Sequence, residues 1–409
     1  MTESNAPRAV MLLAPWQQRV AIAGACTLPG LLVRFSGGAV PYPMQLCAYG
    51  VAVVAAAFML AWACEAAQAD IASGLVVAVV AFVAILPEYI VEVHYAFIGT
   101  ADYVTANLTG ASRLLLGFSV AMPAVVALIP RRWRPQRVGR LELAPSHRVD
   151  LVILAAAALW GLMATIRGEV SLFDGAVLVS LYAFYLWRVS HTDGETPAPI
   201  GVPAQLAELP SRERRRWVSG LMFYAAVVIL LTAIPFGDAV LGTGQLVGIS
   251  PFLLLQWVVP VATETPELVV AFVLLTHGRG GQSISVLLAG AVSQYTLALG
   301  TLPVAYAAGA GAGPLPLLAR EQAELFLTAA VALFTVAAFM NLRVSRGDAS
   351  IMLALFAAQF LLPSIFTRVV IALIFAVVAV DILIDERRHL RPLLGAVRPG
   401  PRPGERLSD

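Results

Sequence analysis

The chain has 409 residues, of which 59% are hydrophobic and only 13% charged, with a mean hydropathy of +0.82. That composition excludes a soluble globular domain and a disordered chain alike, and leaves a polytopic membrane protein. All 27 basic residues are arginine, so the net charge of +2 says less than where those arginines fall.

Apolar runs long enough to cross a bilayer fall near 17–34, 45–69, 71–97, 102–129, 149–166, 170–189, 217–235, 243–276, 282–309, 321–341, 349–366 and 368–385, which predicts an all-α protein of about twelve transmembrane helices. No short apolar segment with a small-residue cleavage site opens the chain, so the first run is read as an uncleaved span. Threading the spans back and forth puts the arginines on one side of the membrane, except Arg34, Arg167, Arg320 and Arg368, with Arg113 inside a span. The positive-inside rule then places both termini in the cytoplasm. Residues 190–216, rich in Pro and Gly and ending in the basic run SRERRRW, are expected to form a cytoplasmic linker, and the Arg/Pro-rich tail from Arg391 is expected to be disordered. Cys26, Cys47 and Cys64 form no metal-ligand or disulfide pattern and read as small apolar helix residues. The absence of lysine points to a GC-rich coding bias and hence to a bacterial inner membrane.

Charge inside these spans carries the functional signal, because an ionised side chain at the bilayer centre is costly. In TETPELVVAFVLL, residues 263–275, Glu264 and Glu267 flank Pro266; in LPEYIVEVHYAF, residues 86–97, Glu88 follows Pro87 and Glu92 comes one turn later. Proline removes a backbone donor and crowds the preceding turn, so both sites predict a helix break. The two copies are five spans apart and so enter the membrane from opposite sides, the arrangement by which transporters build a midplane site reachable from either face. Each copy leads through a Gly-containing turn into a second helix of small and polar residues. These are TANLTGASRLLLG, residues 105–117, and LLAGAVSQYTLALG, residues 287–300. Gly110 and Gly290 allow close helix approach, and Asn107, Thr109, Ser293 and Gln294 bring neutral oxygens towards the carboxylates. Glu88 with Glu92, and Glu264 with Glu267, can share helix faces and so suit proton carriage. Asp174, Glu324 and Asp381 lie near span ends and are expected to be solvated.

The chain thereby resembles the cation/calcium exchanger superfamily, whose two repeats carry a G-[ST]-S-x-P-E pattern followed by a helix with GNxxGSN. The resemblance implies two inverted five-helix repeats with an extra helix at each end. Its boundaries are an N-terminal segment at 1–44, a first half at 45–189, the linker at 190–216, a second half at 217–366, and the last helix and tail at 367–409. It further implies alternating access and calcium exchanged for sodium or protons, with the cation held by Glu88 and Glu267. Glu92, Glu264, Asn107, Ser112, Thr263, Thr265, Ser293 and Gln294 are further candidate ligands or proton carriers. The chain departs from the pattern at Ala84-Ile85-Leu86, where hydroxyls are missing, and at Ser112-Arg113, where the family has Asn or Asp. Arg113 must find an anion within its span, with the four carboxylates on neighbouring helices the obvious partners; paired with Glu88 or Glu92 it would be an internal counter-ion or mark a change of substrate, and otherwise it is a structural ion pair.

The expected function is a secondary active cation antiporter, with a proton-coupled antiporter of another cation or a transport-inactive sensor on the same fold as alternatives. No HExxH, GxSxG or paired-aspartate motif suggests an enzyme. The expected partners are membrane lipid and the transported inorganic cations calcium, sodium or protons, with no cofactor and no nucleic acid.

Overall fold

The computed structural model of the protein describes residues 16–37, 40–70, 85–128, 141–191, 199–311 and 313–396. Its helices are α1 (Trp16–Phe35), α2 (Tyr42–Ala67), α3 (Leu86–Phe97), α4 (Ala101–Leu128), α5 (Arg148–Arg167), α6 (Leu172–Ser190), α7 (Val202–Ala207) and α8 (Ser211–Val247). There follow α9 (Pro251–Thr263), α10 (Thr265–Thr276), α11 (Gly280–Ser293), α12 (Leu299–Gly309), α13 (Ala319–Ala338), α14 (Arg346–Leu361), α15 (Ile365–Asp385) and α16 (Leu390–Gly395). A π-helical turn, Gln294–Ala298, joins α11 to α12. The strands β1 (Glu169–Val170) and β2 (Leu315–Pro316) pair antiparallel. Among the described residues, seven continuous helical segments are long and apolar enough to cross a membrane, and the pair α9–α10, bent by 53°, makes an eighth. This is an all-α polytopic membrane fold.

Local sequence sets the ends of these helices. Ser171 and Ser345 each cap a helix reciprocally with an Asp three residues on, Asp174 and Asp348. Gly168 and Gly248 close α5 and α8 with φ of 79° and 69°. The packing then repeats with the halves exchanged. Helix α6 lies on α12 as α14 lies on α4, while α2 with α8 and α5 with α13 join corresponding helices. The tightest requirement is at Gly110, where a Cβ would collide with the backbone carbonyl of Gln256, so glycine is what lets α4 cross α9 backbone to backbone. Gly290 faces the side chain of Leu115 instead.

Several expectations are corrected. Pro235 lies inside α8 without ending it, so residues 243–247 belong to α8, and the eighth span begins only at Pro251. Of the third span, residues 71–84 lie outside the described residues. The linker is not all loop, because α7 buries Val202, Pro203 and Leu206, and Gln205 Oε1 accepts from the backbone N–H of Trp16 at 3.1 Å. The tail begins as α16, docked through buried Leu393 and by Arg188 Nη2 donating to the Ala396 carbonyl at 2.7 Å. Asp174 is buried rather than solvated, pairing with Arg167 and accepting from Trp160 Nε1 at 2.9 Å. Asp381 is exposed as expected.

The start of α8 is tied to the end of α2 by charge. Arg214 Nη2 and Nε donate to Asp70 Oδ1 and Oδ2 at 2.6 and 2.7 Å, and Arg215 Nε lies 3.4 Å from Oδ1. The hydrogen bonds from Arg214 hold the Asp70 carboxyl below its usual range. A depressed folded-state value stabilises the fold above the unfolded pKa of about 3.9, and that stabilisation is lost as pH falls through the lower folded value. Asp70→Asn is therefore expected to lower the Tm of detergent-solubilised protein by about 1–3 °C at pH 7. The difference from the unsubstituted protein should close in melts run below about pH 3.9.

Candidate functional site

Both Pro-Glu steps fall at helix starts. In α3 and in α10 the proline is the second residue, where the missing N–H has no intrahelical partner to lose, and the glutamate follows in the first turn. Glu88 and Glu267 each sit at the positive end of a helix dipole. The predicted break in the second copy is real: α9 ends at Thr263, Glu264 occupies the corner, and α10 leaves at an angle.

The chain folds so that one amide joins the two copies. Gln294 opens the π-helical turn, a local widening that is frequent at functional sites. Its Nε2 donates to Glu88 Oε1 at 2.7 Å and to Glu264 Oε1 at 3.2 Å, so the two carboxyl groups share one amide. One turn along α3, Glu92 Oε1 accepts from Asn107 Nδ2 of α4 at 3.1 Å. All five side chains are buried. The cluster also leaves buried oxygens without a hydrogen bond, namely Glu88 Oε2, Glu92 Oε2, Asn107 Oδ1, Gln294 Oε1 and Ser112 Oγ. Such atoms are rare in folded proteins, and here they are oxygens that a cation or a proton would satisfy.

The remaining candidates stand differently. Ser112 borders the same space as Gln294, together with Thr109 and Tyr295. Glu267 is half-buried, its Oε2 unpartnered, and stands within electrostatic range of Glu264 and Glu88 as well as of Glu65 on α2. Ser293 Oγ donates to the Ala289 carbonyl at 3.1 Å. Thr263 Oγ1 donates to the Val259 carbonyl at 3.1 Å, and Thr265 Oγ1 donates to that of Val261. At the break Thr265 Oγ1 thus caps the Val261 carbonyl, and Thr265 faces an apolar groove of about 1090 Å³ between α1, α2 and α9. Among the described residues, no three acids, histidines or cysteines converge closely enough to hold a metal ion.

Arg113 does not pair with Glu88 or Glu92. Its Nη2 lies 2.7 Å from Glu324 Oε2 on α13, its Nε donates to the Thr109 carbonyl at 3.0 Å, and its Nη1 donates to Gln359 Oε1 at 3.0 Å. Glu324, expected to be solvated, is only 1% exposed because its other oxygen accepts from Arg368 Nε at 3.0 Å. Arg368, read from sequence as a loop arginine, also donates to the Gln359 carbonyl and, at 3.2 Å, to Gln256 Oε1. Sequence reasoning missed Glu65, Gln256, Glu324, Gln359 and Arg368. Glu65 and Gln256 were nevertheless polar residues inside predicted apolar runs, the same signal that singled out the other acids.

The family pattern described as sodium/calcium exchanger protein matches residues 42–190 and 217–365. The crystal structure of the H+/Ca2+ exchanger CAX is similar with a TM-score of 0.87 and 33% identity, over 93% of this chain and 97% of that one. The structure of native YfkE has a TM-score of 0.60 at 14% identity, over 89% and 100% of the two chains. For the sodium-calcium exchanger NCX_Mj the values are 0.51 and 16%, over 84% and 99%. These last two share the fold. A comparison with curated proteins finds no match. With two matched segments that take in most of its length, each containing one of the two Pro-Glu breaks, the chain belongs to the sodium/calcium exchanger family.

Proposed function

We propose that the chain is a secondary antiporter that exchanges calcium for protons by alternating access, with the cation held at the acid cluster between its two halves, 45–189 and 217–366. The observation that carries this reading is the Gln294 amide shared between Glu88 of the first copy and Glu264 of the second. It puts acids from both repeats at one buried point. Two carboxyl groups held on one amide sit together when one carries a proton, and a divalent ion that displaces that proton gains two anionic ligands at once. Glu88, Glu264 and Glu92 are the proposed ligands and proton carriers, with Asn107, Ser112 and Gln294 supplying neutral oxygens. Glu267, beside Glu65, is the acid that would meet the ion from the other side of the break.

Protons are favoured over sodium because two carboxyl groups sharing one amide hold together when one is protonated, and the 33% identical relative is itself an H+/Ca2+ exchanger. On this reading the protein sits in a bacterial inner membrane with both termini cytoplasmic and requires no cofactor.

Radioactive calcium uptake into proteoliposomes should be driven by an imposed pH gradient and not by an outward sodium gradient. Glu88→Gln and Glu267→Gln should each abolish it. Uptake driven by sodium alone would replace the proposed coupling ion, and no calcium movement under either gradient by folded protein would overturn the calcium assignment. Gln294→Leu removes the donor that two acids share, and is expected to lower the initial uptake rate by about 10- to 100-fold. Unchanged uptake by that variant would mean that the amide bridge is not part of the transport site.

A further inference from the structure

The Arg113–Glu324–Arg368 cluster is a second buried charge centre, separate from the acids. Both guanidiniums and the carboxylate between them are 0–1% exposed. Arginine stays protonated in proteins, and a carboxylate held between two guanidiniums is ionised, so the cluster carries one net positive charge. Its other contacts are neutral. Arg113 meets Thr109, Gln359 and, at 5.5 Å, the Trp257 ring; Arg368 meets the Gln359 carbonyl and Gln256. Among the described residues, no second acid pairs with either arginine. Arg320, which also acts electrostatically on Arg368, has the same sign and lies over the Phe252 ring.

The surplus charge therefore looks towards the acid cluster. Arg113 Nη2 donates to Thr109 Oγ1 at 3.3 Å, and Thr109 and Ser112 border the same space as Gln294, whose amide holds Glu88 and Glu264. One layer of neutral side chains separates the two centres. A lone buried charge is costly, and replacing it with apolar side chains would remove the cost, so its presence beside a set of acids calls for an electrostatic role.

We infer that the Arg113–Glu324–Arg368 cluster is a built-in cation that sets how tightly the neighbouring acids hold a divalent ion. The inference rests on the calcium reading above. A site of several buried acids with no fixed counter-charge would bind a divalent ion too tightly to release it. A fixed positive charge opposes a divalent ion twice as strongly as a proton, so it weakens calcium binding more than it weakens protonation. At a separation on the order of 10 Å and an effective dielectric near 20, one unit of fixed charge changes divalent affinity by about 100-fold and proton affinity by about tenfold, which leaves a net change of about tenfold where the two compete. The arginines and Glu324 are positioning residues in this scheme, since none of them touches the ion.

The test moves the cluster's charge in both directions. Arg113→Met and Arg368→Met each leave a neutral pair, Glu324→Gln leaves two positive charges, and Arg113→Lys keeps one. Calcium concentration for half-maximal uptake at fixed pH is measured in proteoliposomes, with a thermal melt to confirm that each variant is folded. The two Met variants should lower half-saturation by about tenfold, Glu324→Gln should raise it by about tenfold, and Arg113→Lys should restore it to within about threefold of the starting protein. A purely structural latch would reduce stability or maximal rate and leave half-saturation unmoved. Shifts in one direction for all variants, or none in those that fold, overturn the inference while uptake by the unsubstituted protein still stands. Absence of calcium uptake by the unsubstituted protein overturns the exchange reading and this inference with it. Because the Met variants remove the same charge from opposite ends of Glu324, either one alone decides the sign if the other fails to fold.

Discussion

The structure depends on the cost of keeping carboxylates inside a membrane. Each acid in the core must find donors or a partner charge, and the fold supplies them from three sources. Helix starts after Pro87 and Pro266 place Glu88 and Glu267 at the positive ends of helix dipoles. Amides from other helices reach Glu88, Glu264 and Glu92. Two guanidiniums clamp Glu324. The glycine crossing at Gly110 serves the same end, because it brings α4 against α9 and so places Thr109 within reach of Gln256 at 3.3 Å. Packing and polar satisfaction are one requirement here, since in lipid neither backbone nor side chain has water to fall back on.

How far the sequence reveals this arrangement depends on whether each signal is local. A break at Pro266 needs only the proline and its neighbours, and α9 does end there. That Glu88, Glu92, Glu264, Asn107 and Gln294 share one buried region follows from acids and amides lying on helices that the repeat brings together. The direction of Thr265 could not be read in this way. Beyond the corner at Glu264 the helical phase restarts after a 53° bend, which turns Thr265 to the apolar groove while Glu264 faces Gln294. The partner of Arg113 was equally out of reach. Glu324 lies on a helix of the other half and Arg368 at the start of a later one, and both looked like span ends open to water. Burial came instead from two guanidiniums meeting one carboxylate, a three-way contact with no sequence spacing of its own. The linker and tail misled for a simpler reason. Their Pro, Gly and Arg content masks short apolar sets, Val202-Pro203-Leu206 and Leu393, each enough to dock one or two turns of helix.

The scaffold is close to symmetric, but its charge is not. Aligning Glu88 with Glu267 and Gly110 with Gly290 sets the two copies side by side, and few polar residues then coincide. Glu264 falls opposite Ile85, Glu92 opposite Ala271 and Gln294 opposite Leu114, while Arg113 falls opposite Ser293. An inverted repeat lets each half adopt the other's conformation, which is how such folds open to either face. That exchange preserves backbone geometry and does not preserve hydrogen bonds. When the halves trade conformations, Leu114 takes the place of Gln294 and offers Glu267 no donor. On the proposed exchange reading, the Glu88–Gln294–Glu264 bridge has no symmetric counterpart in the other access state and so biases the pair towards the state that holds it. Cation and proton occupancy would then offset that bias, because a ligand shifts such an equilibrium only by binding the two states unequally.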